Sequence, residues 1–279
     1  MKTWSFLLAA GVLIAIPATA QAHPTAHFLS ARTTLRTHVG VVLDHHVRVC
    51  SWRPGDSRVR GLVRYSKRVR TVPAWAEAGR RTSRAVCAIN GGTYQTSPAT
   101  YRPSGTVYAQ GRKIRGFTDA PAVGFVGGRV YFGARAAYRH GARSIMNGLA
   151  YLVNHGRPLL RHSQAPWTTA KQFACGAPGT DGVYGCSRSA LAVMSSGRVA
   201  LVEIGHASMP LAARILVRMG ARSAITFDSG GAALMWTLRG TPNTQVHGDA
   251  GHVFGATAGT SWHRHIPDAI VVNARPLWM

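Results

Sequence analysis

One pattern recurs along the chain and restricts what it can fold into. It is an apolar stretch, a tight turn closing on Gly-Arg, and then renewed apolar or extended sequence. It reads VYAQGR at 107–112, FVGGRV at 125–130, LVNHGR at 152–157 and VMSSGRV at 193–199. Each instance predicts a β-hairpin whose glycine supplies positive φ at the turn. The uneven spacing excludes a solenoid repeat. One helix is marked out between strands. Ser208 caps it, Pro210 lies in its first turn, and Leu211, Ile215, Leu216 and Met219 form its apolar stripe. Gly220 closes it in the C′ position, and the strand Ala224-Ile225-Thr226-Phe227 follows. A weaker helix is expected over 72–79, where Ala and Trp cluster. The expected fold class is α+β: a strand-rich mixed sheet with several β-hairpins and one or two packed helices, in a single domain.

The N-terminus reads as a cleavable signal peptide. Lys2 is followed by an apolar run from Phe6 to Ile16, then by Ala20-Gln21-Ala22 with small residues where a signal peptidase reads. The run is shorter than the roughly 20 residues that a membrane span needs. The expected division is therefore a signal peptide over 1–22 cut after Ala22, a loosely ordered leader over 23–40, and the main domain over 41–279. The mature chain is expected to be secreted or extracytoplasmic, with no transmembrane segment. Four cysteines in an exported chain suggest two disulfides, with three possible connectivities. Cys175 and Cys186 bracket a Gly- and Pro-rich loop and are favoured as one pair, which leaves Cys50 with Cys87.

Thirty-three Lys and Arg against 9 Asp and Glu give a formal charge of +24, which attracts polyanions. The expected partner is a phosphorylated glycan or another polyanionic wall polymer. The arginines are scattered and no nucleic-acid recognition motif is present, so no specific nucleic-acid partner is expected. The few acids also confine any acid–base chemistry to a short list of residues.

Three constellations carry candidate chemistry. In Asn90-Gly91-Gly92 a strand ends on an amide and two glycines. This is either a plain hairpin turn or a place where backbone N–H groups approach a ligand. In Asp228-Ser229-Gly230-Gly231 a carboxylate follows the end of a buried strand and precedes a flexible turn. The competing reading is a β-turn with Asp at its first position. In Arg188-Ser189 a guanidinium stands at a strand entry, where it suits phosphate or carboxylate; the competing reading is one surface arginine among many. His247, Asp249 and His252, and the pair His263 and His265, have loose spacing for a metal, so neither metal nor cofactor is expected. No P-loop, G-x-S-x-G or H-E-x-x-H run occurs.

Taken in order, Ala88-Ile89-Asn90-Gly91-Gly92, Ser104-Gly105, Arg188-Ser189-Ala190-Leu191-Ala192, Gly220-Ala221 and Phe227-Asp228-Ser229-Gly230-Gly231 resemble the phosphodiester glycosidase family. A closing strand that starts at Arg264 completes the resemblance, which spans roughly residues 80–273. It implies hydrolysis of a sugar-1-phosphodiester at the glycosidic bond. Asp228, Asn90 and Arg188 would be catalytic, and Gly91, Gly92, Ser189, Ser229, Gly230 and Gly231 would bind substrate. This chain departs from the family's usual pattern at Ser229 and Ala232, at Thr93 and at Leu211. Those departures keep a second expectation open, a non-catalytic binder of anionic polymers with a degenerate site.

Overall fold

The computed structural model describes residues 27–28, 36–43, 45–72, 74–76, 78, 85–95, 102–159, 187–205, 207–229, 235–237 and 266–274. In chain order the strands are β1 (His27–Phe28), β2 (Arg36–Val42), β3 (His45–Trp52), β4 (Val59–Arg70), β5 (Ala85–Asn90) and β6 (Tyr94–Gln95). Next come β7 (Arg102–Pro103), β8 (Val107–Ala109), β9 (Arg112–Arg115), β10 (Ala122–Val126) and β11 (Arg129–Phe132). Helix α1 (Ala134–Arg139) leads to β12 (Ser144–Asn147), β13 (Ala150–Asn154), β14 (Arg157–Pro158), β15 (Arg188–Met194) and β16 (Val199–Ile204). Helix α2 (Met209–Arg218) precedes β17 (Ala221–Ser229), β18 (Met235–Thr237) and β19 (Ile266–Ala274).

The strand-rich α+β character is as expected, but the strands fall into several sheets rather than one. An eight-stranded sheet has the order β1-β2-β3-β16-β15-β17-β13-β14. A five-stranded sheet runs β11-β10-β12-β8-β9, a four-stranded sheet β18-β5-β19-β4, and β6 pairs with β7. Ladders among the described residues are antiparallel. All four Gly-Arg turns join antiparallel neighbours. Two of them put both central residues at positive φ, Gln110-Gly111 and His155-Gly156, which matches the strand twist of a two-residue hairpin.

Alternation along the strands sorts side chains into layers. Cys50, Trp52, Val63, Ile89, Phe125, Leu191, Phe227 and Ile270 form one cluster shared by the three large sheets. Ala190, Ala192, Val202 and Ile204 alternate to the other side of the eight-stranded sheet and meet α2. On the four-stranded sheet, Ala88, Ala269 and Val271 turn away from the shared cluster toward Val72, Trp75 and Ala76. Those three residues are helical, inside the region where a weaker helix was expected. The Trp75 indole N–H donates to the Ile266 carbonyl at 3.2 Å.

Helix α2 starts as the sequence predicts, with the Ser208 hydroxyl accepting from the Leu211 amide at 3.4 Å. Its buried face is Met209, Ala212, Ala213, Ile215 and Leu216. Leu211 and Met219 only flank that face, because small alanines let the helix lie close on the sheet. Helix α1 has no counterpart in the sequence reading. Its N-cap is Gly133, which makes no side-chain capping bond and so leaves no capping signal.

Cys50 and Cys87 are disulfide-bonded, which joins β3 to β5 across two sheets. Closing a loop with a sequence separation of 37 contributes on the order of 4 kcal/mol in the chain-entropy account. Cys175 and Cys186 lie outside the described residues, as do residues 1–22. Part of the 23–40 stretch is not a loose leader. β2 runs in register along β3 from Arg36 opposite Ser51 to Val42 opposite His45, so a boundary at Val41 falls inside a strand. Arg36 and Val41 on this strand are exposed, and Val42 packs against the cluster under α2.

Candidate functional site

The Asn90-Gly91-Gly92 segment leaves the end of β5 and is buried throughout. It is not a hairpin, because the ladder partners of β5 are β18 and β19. Asn90 pairs with Ala269, and its Nδ2 donates to the Gly91 carbonyl at 3.2 Å. The Gly91 amide donates to the Asp268 carbonyl at 3.1 Å. The Gly92 amide points at the Met146 sulfur at 3.3 Å. Both glycine amides are thus engaged within the protein. The glycines serve close approach instead. A Cβ on Gly91 would fall on the Asp268 carboxylate, and one on Gly92 would fall on Asn147. A Cβ on Gly105 would crowd Asn147 from another side, at 2.6 Å from its Cβ. Asn-Gly-Gly, Ser104-Gly105, Asn147 and Asp268 therefore make one packed group.

Asn147 and Gly148 tie this group to the second candidate segment. The Asn147 amide nitrogen lies 3.5 Å from both the carbonyl and the hydroxyl of Thr93, and its Oδ1 has no hydrogen-bond partner among the described residues. Gly148 packs against Ile225 and Thr226, and the next amide, Leu149 N–H, donates to the Thr226 carbonyl at 2.7 Å. Thr226 stands two residues before Asp228 on β17. Residues far apart in the chain are thereby brought to one region.

The ends of β15 and β17 complete it. Arg188 pairs with Ser229 and Ala190 with Thr226, so β17 carries an extra residue across this span. A bulge of this kind bends the strand and re-aims its side chains, and bulges are enriched beside active sites. Asp228 lies within it. Arg188 is fully buried, and its Nε donates to the Ala207 carbonyl at 3.0 Å, which anchors the entry to α2. Ser189 is buried, and its carbonyl accepts from the Thr226 hydroxyl at 2.9 Å. Ser189 pairs with Glu203, which pairs in turn with Arg48. Glu203 forms an ion pair with Arg48 at 3.2 Å. Burial pushes the Glu203 carboxyl up to about 7, against the pull of the Arg48 charge and hydrogen bond.

Sequence reasoning did not single out Asp268 or Asn147. The available signals were an acid inside the apolar run Ile266-Pro267-Asp268-Ala269-Ile270 and an Asn-Gly between apolar stretches. Gly230, Gly231 and the histidines at 247, 252, 263 and 265 lie outside the described residues. Among the described residues, no group of three or more His, Cys, Asp or Glu is placed to hold a metal, and no helix is long and apolar enough to cross a membrane.

Comparison with solved structures finds the same fold at low identity. The catalytic domain of zebrafish N-acetylglucosamine-1-phosphodiester alpha-N-acetylglucosaminidase, auto-inhibited by its pro-peptide, aligns with TM-score 0.62 at 14% identity, over 91% of this chain and 88% of that one. A hypothetical protein from Synechocystis aligns with TM-score 0.58 at 14% identity, over 86% of this chain, which spans only 62% of that protein. A putative exported protein from Burkholderia pseudomallei aligns with TM-score 0.54 at 14% identity, over 85% of this chain and 74% of that one. No curated protein sequence matches the chain. The model of the phosphodiester glycosidase family matches residues 83–273, a span that holds Asn90, Asn147, Arg188, Asp228 and Asp268, and the chain belongs to that family.

Proposed function

We propose that the protein is an exported hydrolase that cleaves the glycosidic bond of sugar-1-phosphodiesters, in cell-wall or exopolysaccharide material. The observation that supports it best is the packing of the Asn-Gly-Gly segment on Asp268 and Asn147, and its link through Gly148 to the strand carrying Asp228, in a member of this family. In the proposed reaction the C1–O bond breaks and its electron pair leaves with the phosphate monoester. A water oxygen ends on C1, and its proton passes to a carboxylate and then to solvent. A phosphate monoester leaves far more readily than an alkoxide, so a general acid for the leaving group, which ordinary glycosidases require, is not needed. One carboxylate suffices, and Asp228 is assigned to it, as base toward water or as nucleophile. The buried charge of Arg188, directly across the ladder from Ser229, stabilises the phosphate at that strand end. Asn147 orients the sugar with its amide, and Asp268 fixes the Asn-Gly-Gly segment.

The test is turnover of a synthetic sugar-1-phosphodiester, read as reducing sugar released. Asp228→Asn is expected to bring turnover down to background, and full activity in that variant would sink the assignment. The anomer first released separates the two roles of Asp228, inversion for a base and retention for a nucleophile. Ser229, standing where the family usually has glycine, favours a second reading as a binder of anionic polymer. Binding without any release of reducing sugar is its outcome in the same assay.

A further inference from the structure

A basic cleft borders the site and plays no part in the chemistry above. It has a volume of about 830 Å³, and its walls include Tyr65, Lys67, Arg102, Arg112, Lys113 and Arg115. These are five cations from three separate segments, β4, β7 and β9, and no carboxylate lines the cleft among the described residues. Elsewhere two of the described acids are balanced locally, Asp56 by Arg58 and Glu203 by Arg48. The cleft is thus a concentration of positive charge beyond the general excess.

Its position follows from the ladders. Between Ile266 and Asp268 the register on β4 jumps from Arg70 to Tyr65, so the intervening β4 residues bulge out, and Ser66 and Lys67 among them form one wall. Asp268 and Tyr65 are direct cross-strand partners and project from the same face. The Tyr65 phenol is pushed up from its ordinary value by burial and by the Asp268 charge, while Arg112 and Arg102 pull it back. One side chain therefore feels both the candidate site and the cleft. The opposite wall contains Pro103, which is followed by the Ser104-Gly105 segment that packs on Asn147. The Arg115 guanidinium donates to the Pro103 carbonyl at 2.7 Å and fixes that wall.

We propose that this cleft is a subsite for the continuing chain of a polymeric substrate, a glycan with repeated phosphodiester links, beyond the one that is cut. The inference rests on the glycosidase reading for the identity of the cut bond, but not for binding. The volume lies in the upper part of the range of ordinary ligand pockets, well beyond one inorganic phosphate. Guanidinium forks suit successive phosphates. Single-stranded nucleic acid would call for a row of aromatic platforms, and Tyr65 is the one aromatic among the described lining residues.

The experiment uses oligomers of N-acetylglucosamine-1-phosphate with one, two and four repeats, measured for binding by calorimetry and for turnover separately. The full chain is expected to bind the four-repeat oligomer at least tenfold more tightly than the single repeat. The triple variant Lys67→Gln, Arg112→Gln, Lys113→Gln changes exposed side chains only. It is expected to lose that length dependence and to lower the slope of log affinity against log salt by about 2, at ~0.7 per phosphate contact. Its kcat/KM on a single-phosphate diester should stay within about twofold of the parent. A control triple, Arg157→Gln, Arg214→Gln, Arg222→Gln, removes the same charge from the eight-stranded sheet and its helix α2 and should keep the length dependence. Equal affinity for one and four repeats in the parent chain overturns the proposal. So does equal loss in both triples, or an oligonucleotide of matched charge that competes on equal terms. Length-dependent binding without turnover keeps the subsite and removes the glycosidase reading instead.

Discussion

Asp268 at the start of β19 and Glu203 near the end of β16 are both buried, 0% and 3% exposed. Both alternate toward the core shared by the sheets, Asp268 with Ile270 and Val272, and Glu203 with Val199 and Leu201. Their surroundings differ. Glu203 sits within a regular ladder row, Arg48 on one side and Ser189 on the other, and is held by one guanidinium. Asp268 sits where register fails, beside the β4 bulge, with a glycine turn pressed against its carboxylate. Burial of an acid therefore does not by itself mark a site in this fold. What separates the two is the backbone around them: continuous and self-satisfied at Glu203, interrupted and shaped by glycine at Asp268.

The largest expected effect breaks this comparison most directly. Asp268→Asn keeps the size of the side chain and removes its charge. With Asp268 fixing the turn of the site, kcat should fall about 100-fold, the scale of a reacting group misplaced by about 1 Å, with KM within about twofold. The denaturation midpoint should hardly move. Glu203→Gln, at the other acid, should leave kcat within about threefold. Equal losses of activity in the two variants would erase the distinction and make Asp268 a core residue like any other.

Legibility follows the same divide. Features carried by local sequence could be read. The four Gly-Arg turns became hairpins because positive φ is written into adjacent residues, and α2 announced itself through Ser208, Pro210 and Gly220. The Cys50–Cys87 bond was reached by elimination rather than by geometry. Features made by distant segments could not be read in this way. Asp268 and Gly91 meet only because β19 lies beside β5, and nothing near Gly91 encodes that neighbour. Asn147 reads locally as a turn, and only the folded chain sets it between Gly92 and Gly105. The two glycines of the Asn-Gly-Gly segment suggested amides aimed at a ligand, whereas their amides are engaged and the missing side chains are what matter.

Glu203 supplies the next test, through pH. Its carboxyl stands at about 7 in the folded chain against 4.5 for the ordinary value. Between those values the folded protein keeps a proton that the unfolded chain releases. Its contribution is therefore complete below about pH 4.5 and declines as pH rises toward about 7, by a total on the order of 3 kcal/mol. Glu203→Gln cannot ionise and should lack this decline. Urea denaturation of both proteins from pH 4.5 to 8 reads the difference. Parallel stability profiles would show that Arg48 holds Glu203 ionised throughout, and the contrast with Asp268 would then need another basis.

The smallest expected effect on stability tests the glycine side of the comparison. Gly91→Ala puts a methyl group onto the Asp268 carboxylate and close to the Met146 side chain. Overpacking at a tight site costs about 1–3 kcal/mol. Gly55 has nothing within 4 Å of a built Cβ, so Gly55→Ala should be neutral or stabilise by a few tenths to about 1 kcal/mol through the unfolded chain. A loss at Gly91 with none at Gly55 is the prediction, read as shifts in denaturation midpoint. The double variant Gly91→Ala, Asp268→Ala carries the argument further. Shortening the acid makes room for the new methyl group, so stability should partly return. If Asp268 serves only as packing, activity should return with it. If the carboxylate fixes the turn for catalysis, stability and activity must part company, and the double variant should be folded and inactive.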